Sequence, residues 1–485
     1  MLEIQSKLKK MASYAGVRGV RNVSGVSCHI SAPLQVIYHG LPELRQALIR
    51  LADASGGCGR DEDGGCDAPS KAVQFVRQLG LLFKTLSLPP TEENLSADNI
   101  VAPPAVDPMP LYDVLPSSLK YKEVGDAATA LRAILTTIRS GLEEVCNNTR
   151  IIIDEVIVDD AKSALDTCLC GSNVQRLEGT MRRTDVDASG NKKVKLVKRR
   201  KPDKERKLTV PFPIPVSGYS CLGDSLASVT TEAQVINGYD WEAVEDYDEQ
   251  SETLLDANID KDEEESVSSD SSSDSSDSSS SDSSSDVSSS SESHSLSSSE
   301  DEDGDEEEVG VWKTRKYALL NKVPLYFFIH LKRFGCKGGR VQKLSSVLDV
   351  PKRLNIALYS TDPCGADSEY ELCGAIVHID EESMEGANEI DEDAGHYISF
   401  VHLGLERKRT VEPNAIGTQM AACEISNTTP WIELNDEEIK PYDGETGESH
   451  VLNVLSGRYS KKSKTGGSIR GSKYATVLLY RRVNI

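Results

Sequence analysis

Residues 19–35 read GVRNVSGVSCHISAPLQ, a glycine-bearing stretch in which Cys28 stands just ahead of a long apolar run. That run predicts a helix over residues 28–52, with a restart at Pro42, because its apolar residues recur three or four positions apart. They are Leu34, Ile37, Tyr38, Leu41, Leu44, Leu48 and Leu51. The N-terminal end of a helix stabilises a thiolate, so a cysteine in this position is a candidate nucleophile.

Two later stretches supply the other groups that a thiol nucleophile requires, a base within hydrogen-bond reach and a third group that orients the base. His396 lies in the segment GHYISF, and Asn435 and Asp436 close the segment WIELND. His396 is therefore the candidate base. Asn435 is preferred as the orienting residue, with Asp436 beside it as a supporting acid. An amide oxygen can fix the imidazole tautomer, whereas only a carboxylate also offsets the imidazolium charge.

The spacing of apolar residues changes along the chain and predicts an α+β fold. Residues 70–88 and 124–146 repeat the helical spacing, so the first third of the chain is predicted to be a helical lobe. Residues 151–158 form an apolar, β-branched run that predicts a strand, and residues 208–216, broken by prolines, predict at best an edge strand. The later strands are predicted at Pro324–Phe334, Tyr370–His378, His396–Leu403, Trp431–Leu434 and Tyr474–Val483. The active site is expected in the cleft between the helical and β lobes.

The acidic residues are concentrated in one segment. The chain of 485 residues has a net charge of −24, yet residues 260–309 alone hold 19 acidic residues and one lysine. The serine-rich stretch 249–309 has too few apolar residues to offset the entropy of ordering, so it is predicted to be a disordered insert. Because it lies between Trp241 and Trp312, its ends are expected to be close together. The chain is thus predicted to divide into an N-terminal tail (1–17), a helical lobe with the first part of the β lobe (18–248), the disordered insert (249–309) and the rest of the β lobe (310–485).

Composition also excludes several classes of protein. The sequence has no 18-residue apolar run, so no membrane partner is expected. The first residues lack the apolar core of a signal peptide, and 11 cysteines, an odd number, favour reduced thiols in the cytoplasm, the nucleus or both. Outside the acidic insert the charges nearly balance, so no nucleic-acid partner is expected. The basic run 192–207 could be a nuclear localisation signal or a nucleic-acid patch, but a solvated loop is preferred.

No metal or cofactor is predicted. Cys168 and Cys170 form a single Cys-x-Cys pair, and the next cysteine, Cys221, stands alone. A tetrahedral zinc site needs four ligands, so these residues are interpreted as ordinary thiols at the end of a strand.

Several segments together resemble the ubiquitin-specific proteases, the papain-like deubiquitinases. The family's first box, Gly-Leu-x-Asn-x-Gly-Asn-Thr-Cys-Tyr-x-Asn-Ser-x-Leu-Gln, is similar to residues 19–35. Its Gly-His-Tyr and Trp-x-x-Phe-Asp/Asn-Asp boxes are similar to GHYISF and WIELND. The segments VGDAATAL at 124–131, YFFIHLKRF at 326–334 and VLLYRR at 477–482 resemble three further boxes. All six occur in the family's order, from residue 19 to residue 482.

This resemblance implies a papain-like fold with a helical thumb and an antiparallel β palm and fingers. It also implies ubiquitin and ubiquitinated proteins as partners, and cleavage after the C-terminal glycine of ubiquitin. The implied catalytic residues are Cys28, His396, Asn435, Asp436 and, for the oxyanion, Asn22. The implied substrate-binding residues are Gly395, Tyr397 and Asp126. A glycine at 395 suits a cleft that must pass an extended Gly-Gly tail.

The first box departs from the family pattern around the nucleophile. The family's oxyanion asparagine stands five residues before the cysteine, but Asn22 stands six before Cys28. Either the loop carries an extra residue or Asn22 has lost that role. Pro33 poses a similar choice, since it either interrupts a helix that begins near Cys28 or lies in the first turn of one capped by Ser31.

These departures keep a second function open, a ubiquitin-binding pseudoenzyme of the same fold. Val26 and His29 replace the family's asparagine and tyrosine, and Thr129 and Ala130 replace a Glu-Phe pair. A scaffold whose acidic insert recruits basic partners is a further alternative. The intact His396 and Asn435 segments favour the enzyme.

Overall fold

The computed structural model describes most of the chain outside the acidic insert. The described residues are 17–55, 69–88, 95–96, 99–100, 104–147, 154–186, 188–189, 192–236, 239, 241, 248–253, 311–337, 340–361, 368–380, 395–403, 431–462, 468–470 and 473–483. The predicted tail, except Val17, and the insert from residue 254 onward lie outside them. The chain forms two compact units, and residues 177–202 and 235–315 belong to the second.

Helices dominate the first part of the chain, as predicted. Six helices lie in this part of the described chain: α1 (Cys28–Gly40), α2 (Pro42–Ala54), α3 (Lys71–Leu86), α4 (Met109–Tyr112), α5 (Ala127–Asn147) and α6 (Glu155–Leu169). Two more follow later, α7 (Leu222–Thr230) and α8 (Gly444–Leu455). The predicted restart at Pro42 is confirmed, because this proline occupies the first turn of α2, where its missing N–H costs no helical bond. Within the described residues, no helix is long and apolar enough to cross a membrane.

Within the described residues, twenty strands accompany these helices. They are β1 (Leu95–Ser96), β2 (Asn99–Ile100), β3 (Ser172–Val186), β4 (Lys192–Arg200), β5 (Lys204–Lys207), β6 (Phe212–Pro215), β7 (Gln234–Ile236), β8 (Asp248–Thr253), β9 (Lys313–Lys322), β10 (Tyr326–Lys332), β11 (Phe334–Lys337), β12 (Arg340–Lys343), β13 (Arg353–Asn355), β14 (Glu369–Asp380), β15 (Gly395–His402), β16 (Trp431–Asn435), β17 (Glu438–Tyr442), β18 (Ser460–Lys462), β19 (Ser468–Arg470) and β20 (Lys473–Arg482). The five strands predicted after Trp312 are confirmed.

An eight-stranded sheet carries the candidate base and orienting residue. Its strands follow the order β17-β16-β15-β14-β20-β10-β6, and β13 pairs with β14. Neighbouring strands of this sheet pair antiparallel, except β6 and β10, which are parallel. The proline-rich β6 lies at the edge of the sheet, as predicted, because a proline has no N–H to offer a second neighbour. The α+β class is thus confirmed.

Alternate residues of β15 face two different hydrophobic clusters. Tyr397 and Val401 pack in the cluster that contains α1 and the other helices of the first lobe. Ile398 and Phe400 pack in the opposite cluster, which includes residues of α7 and α8. Side chains alternate along a strand, so His396 belongs to the face of Ile398 and lies at the beginning of the strand.

The strand predicted at residues 151–158 is wrong for its described part. Residues 151–153 lie outside the described structure, and Glu155 begins helix α6. The side chain of Asp154 caps this helix by accepting from the Val156 N–H at 3.0 Å. Val158, Ala161 and Leu165 then share one buried helix face, so capping and helical spacing outweigh the β-branched composition.

The preferred loop at residues 192–207 is also wrong, because this basic run forms strands β4 and β5. Both pair with β3, and Val197 in the middle of β4 is buried. Lysine and arginine stems can line a sheet while their charges remain near solvent, so the basic composition does not prevent strand formation.

The predicted insert boundary at residue 249 needs correction as well. Residues 248–253 form β8, which pairs antiparallel with β4, so Glu249 faces Arg199 across the ladder. In the same unit the rings of Trp241 and Trp312 lie 5.8 Å apart. Trp241 also donates from its indole to Thr314 Oγ1 at 2.8 Å. Trp241 and Trp312, between which the insert lies, are therefore in contact.

Candidate active site

Cys28 is the first residue of α1 and is buried. Ser27 precedes the helix, and its carbonyl accepts from the N–H groups of Ile30 and Ser31 at 2.9 and 3.0 Å. Of the two alternatives for Pro33, the first is observed: the helix begins at Cys28, and Pro33 lies inside it rather than in the first turn of a helix capped by Ser31. The thiol consequently stands at the positive end of the helix dipole, where a negative charge is favoured.

His396 joins the nucleophile to the orienting residue. Its Nε2 lies 2.6 Å from Asn435 Oδ1. The imidazole also forms a hydrogen bond with the side chain of Cys28. Because Nε2 is engaged by an amide oxygen, Nδ1 is the ring nitrogen left to face the sulfur. The three groups thus form a chain from nucleophile to base to orienting amide.

The pKa of His396 favours a charged imidazole. Burial by itself lowers this pKa, but the hydrogen bond and the charge of Cys28 raise it, as do the hydrogen bond to Asn435 and the charge of Asp436. The net result is a pKa of about 9. A thiolate paired with an imidazolium is the reactive form of a cysteine nucleophile.

A tight turn brings Asn435 and Asp436 to the same place. Asn435 ends β16, and Asp436 follows in the two-residue connection to β17 with a φ of 50°. Aspartate is among the few residues other than glycine that adopt such a conformation readily. A Cβ on Gly19 would overlap the carbonyl oxygen of Asp436, so a glycine is required where the first box passes this turn.

The carboxylate of Asp436 is held from several sides. Oδ2 accepts from Asn22 Nδ2 at 2.9 Å, and Oδ1 accepts from Ser31 Oγ at 3.4 Å. His396 Nε2 lies 3.6 Å from Oδ2. Burial raises the pKa of Asp436, and the hydrogen bond from Asn22, the charge of His396 and the hydrogen bond from Ser31 act in the opposite direction.

Asn22 connects this carboxylate to the nucleophile loop. Its Oδ1 accepts from the N–H of Ser27 at 3.1 Å and from Ser27 Oγ at 2.8 Å. The loop between them turns at Gly25, whose φ of 76° suits a glycine. Asn22 thus lies beside the nucleophile despite its longer spacing. Its oxyanion role stays a prediction.

The predicted substrate-binding residues lie next to the catalytic groups but have structural contacts of their own. A Cβ on Gly395 would overlap the ring of His378, which gives this glycine a packing reason independent of any substrate. Tyr397 is buried, and its phenol bonds with the backbone of Ala127. Asp126 accepts from the Thr129 N–H at 2.7 Å and so caps α5. Their substrate contacts stay predictions.

Several residues of the site could not be predicted from the sequence. Ser27 and Ser31 hold Asn22 and the carboxylate of Asp436, and the phenol of Tyr112 lies beside both serines. Serines in a first helical turn are common, and a tyrosine far along the chain reaches the site only through the tertiary fold.

The cysteine pair is at the end of a helix rather than a strand, contrary to the prediction. Cys168 belongs to α6, and Cys170 caps it. Cys170 Sγ donates to Asp166 Oδ1 at 3.1 Å and accepts from Arg139 at 3.2 Å. Across the described ranges, no cluster of three or more histidine, cysteine or acidic residues could hold a metal ion.

Comparison with known proteins places the chain in a family. A family model described as ubiquitin carboxyl-terminal hydrolase matches residues 18–480, nearly the whole chain. The chain belongs to this family. The resemblance inferred from the six sequence boxes is thereby confirmed. In this hydrolase family member, Cys28, His396 and Asn435 all lie within the matched residues.

Relatives of this hydrolase family member match it over part of their length. Ubiquitin carboxyl-terminal hydrolase 1 of Arabidopsis thaliana is 30% identical over 142 residues, which are 28% of this chain and 11% of the relative. Ubiquitin carboxyl-terminal hydrolase 1 of Homo sapiens is 28% identical over 159 residues, which are 29% of this chain and 19% of the relative. The matches therefore span less than a fifth of these relatives.

A solved structure shares the fold of this family member. The SAGA DUB module Ubp8/Sgf11/Sus1/Sgf73 bound to monoubiquitin contains a chain that aligns with 98% of this protein over 70% of its own length. The TM-score is 0.51 and the sequence identity is 13%. At that identity the likeness concerns the fold, and it confirms the predicted arrangement of helices and antiparallel sheets.

Proposed function

We propose that the protein is a thiol-dependent deubiquitinase that hydrolyses the bond after the C-terminal glycine of ubiquitin. The observation that carries this proposal is the position of His396, which bonds with Cys28 and lies 2.6 Å from Asn435. Ubiquitin and ubiquitinated proteins are the proposed partners, in the cytoplasm or the nucleus. Membership of the ubiquitin carboxyl-terminal hydrolase family supports this substrate class.

In the first half of the reaction, His396 takes the proton of Cys28, and the thiolate attacks the carbonyl carbon of the terminal glycine. The carbonyl oxygen becomes an oxyanion. Backbone N–H groups near Cys28 support it, because the first N–H groups of a helix have no acceptor within the helix. The Ile30 N–H is not among them, since it is donated to the Ser27 carbonyl. Asn22 is proposed to assist, because its amide nitrogen carries a second N–H besides the one that it donates to Asp436.

In the second half, the imidazolium of His396 donates its proton to the leaving amine, and the carbon–nitrogen bond breaks. The remaining thioester joins Cys28 to the glycine carbonyl. His396 then takes a proton from water, whose oxygen attacks the thioester and releases a free carboxylate and the thiol. Throughout these steps Asn435 keeps the ring in one orientation by accepting from Nε2.

A ubiquitin-binding pseudoenzyme is the second candidate, and one observation favours it. One N–H of the Asn22 amide is donated to Asp436, so this side chain is held toward the carboxylate rather than left free for the oxyanion role that the family resemblance assigns to it. In that case the protein would retain the fold and its binding surface but turn over slowly or not at all.

The test is reaction with ubiquitin that carries an electrophile at its C-terminus. We expect a covalent adduct with the wild type, located on Cys28 by peptide mass analysis, and no adduct with Cys28→Ala. The matched control is Cys146→Ala, because Cys146 is an exposed free cysteine away from the site and its loss should leave the adduct intact. A folded wild type that binds ubiquitin in a titration but forms no adduct would exclude the enzyme and support the pseudoenzyme.

A further inference from the structure

Tyr112 is a buried phenol that neither the sequence boxes nor the proposed reaction uses. It ends the short helix α4, and its side chain is 3% exposed. Its ring stacks on that of Tyr121, with centroids 5.2 Å apart. The hydroxyl lies beside the hydroxyls of Ser27 and Ser31 and within electrostatic range of Asp436. It therefore stands behind the first turn of the nucleophile helix.

This hydroxyl is poorly bonded for a buried group. Among the described residues, it has no hydrogen-bond partner of regular geometry, although the two serine hydroxyls are adjacent. Burial raises the pKa of Tyr112 to about 12, so the hydroxyl keeps its proton and remains a donor. A phenylalanine of the same shape would avoid the cost of an unsatisfied buried hydroxyl. A role in the site explains why the chain carries a tyrosine instead.

The neighbouring serines provide such a role. Ser31 Oγ lies 3.0 Å from the carbonyl oxygen of Ser27 and 3.4 Å from Asp436 Oδ1. A donor that reaches Ser31 Oγ polarises its O–H and strengthens the bond that the serine makes to the carboxylate. Hydrogen bonds in an empty active site are often long and tighten when substrate binds.

We propose that Tyr112 is a positioning residue, whose hydroxyl supports the serine hydroxyls on which the placement of Asp436 depends. It acts through these neighbours and does not touch the substrate. The inference builds on the proposed thiol hydrolase, but it also predicts a property of Cys28 that can be measured without ubiquitin. That property is the reactivity of the thiolate, which depends on the imidazolium and thus on the nearby carboxylate.

The experiment compares Tyr112→Phe with Tyr121→Phe, which removes the same atom from the stacked ring outside the serine pair. Three properties are measured: kcat and KM on a ubiquitin C-terminal amide, the rate at which iodoacetamide alkylates Cys28 as a function of pH, and the melting temperature. In Tyr112→Phe we expect kcat to fall about three- to tenfold, the equivalent of one hydrogen bond, with little change in KM. The alkylation midpoint should move to higher pH, and the melting temperature should stay equal or rise.

Tyr121→Phe should match the wild type in all three measurements. The inference is overturned if Tyr112→Phe keeps the wild-type kcat and alkylation profile. It is also overturned if activity falls only together with the melting temperature, since that describes a structural residue. If the wild type cleaves no ubiquitin substrate but Tyr112→Phe still moves the alkylation midpoint, the hydrolase proposal fails and the positioning role stands.

Discussion

Asn22 donates a hydrogen bond of 2.9 Å to Asp436, across 414 residues of sequence. Through its other amide atom, Asn22 accepts from the backbone and the hydroxyl of Ser27, the residue before the nucleophile. A single side chain thus ties the turn that follows Asn435 to the loop that presents Cys28. The extra residue in the first box therefore leaves the asparagine connected to both halves of the site.

The first prediction tests whether Asn22 acts through Asp436. We expect Asn22→Ala and Asp436→Asn each to lower kcat/KM, and the double variant to lose little more than the worse single one, because residues in one network are not additive. Asp436→Asn is chosen because asparagine also tolerates a positive φ. Additive losses, with Asn22→Ala costing about 100-fold or more, would instead indicate a direct oxyanion role.

The second prediction concerns the choice of orienting residue. Asn435→Ala should lower turnover by about 100-fold or more, because His396 loses the acceptor that fixes its tautomer. Asp436→Asn should cost less, since its carboxylate lies 3.6 Å from the imidazole rather than at hydrogen-bond distance. Steady-state kinetics on folded variants measure both effects. The reverse ranking would assign the orienting role to Asp436.

The third prediction is a pH dependence. As the pH rises through about 9, His396 loses its proton, and turnover should fall because the leaving amine then lacks its acid. The hydrogen bond to Asn435 is among the interactions that raise this pKa, so Asn435→Ala should move the alkaline limb to lower pH. The kcat profile on an isopeptide-linked substrate measures the limb. A limb that stays in place would show that another group controls it.

The fourth prediction separates two reasons for Gly395. If the ring of His378 forbids a side chain there, Gly395→Ala should be destabilised by about 1–3 kcal/mol, as expected for overpacking. Adding His378→Ala should restore much of the activity, since it empties the space that the new methyl group needs. Unfolding curves and turnover of the single and double variants decide the matter. Activity that stays low in a stable double variant would favour a need for glycine by the substrate tail.

The fifth prediction is that residues 254–309 can be deleted while β8 is kept. The strands on either side of the deleted segment, β8 and β9, belong to one six-stranded sheet, in which β4 and β3 lie between them. Neighbouring strands lie about 4.8 Å apart, so the distance from β8 to β9 across the sheet is about 15 Å. A Gly/Ser linker of about 12 residues has a mean span of about 20 Å, which is enough to join them. The melting temperature and probe reactivity should match the full chain. A fall of more than about 5 °C would show that the deleted segment stabilises the fold.

Periodicity in the sequence predicted the elements that bury one regular face. Helices α3 and α5 and the five strands predicted after Trp312 fall where their apolar spacing indicated. Helices α7 and α8 were not predicted, because each is short and carries glycine or polar residues. Helix α6 and strands β4 and β5 were assigned wrongly because capping and pairing partners overrode local composition.

The sequence by itself determined the chemical groups of the site and their order, Cys28 before His396 before Asn435. Residue types limit the possible chemistry, and their order is preserved whatever the fold. Only the tertiary structure decided which groups meet: Asn22 with Asp436, Gly395 with His378, and Tyr112 with the serines of the first helical turn. The physical reason is that a hydrogen bond or a van der Waals contact depends on separations of a few ångströms in space. The number of residues between two side chains along the chain does not fix that separation.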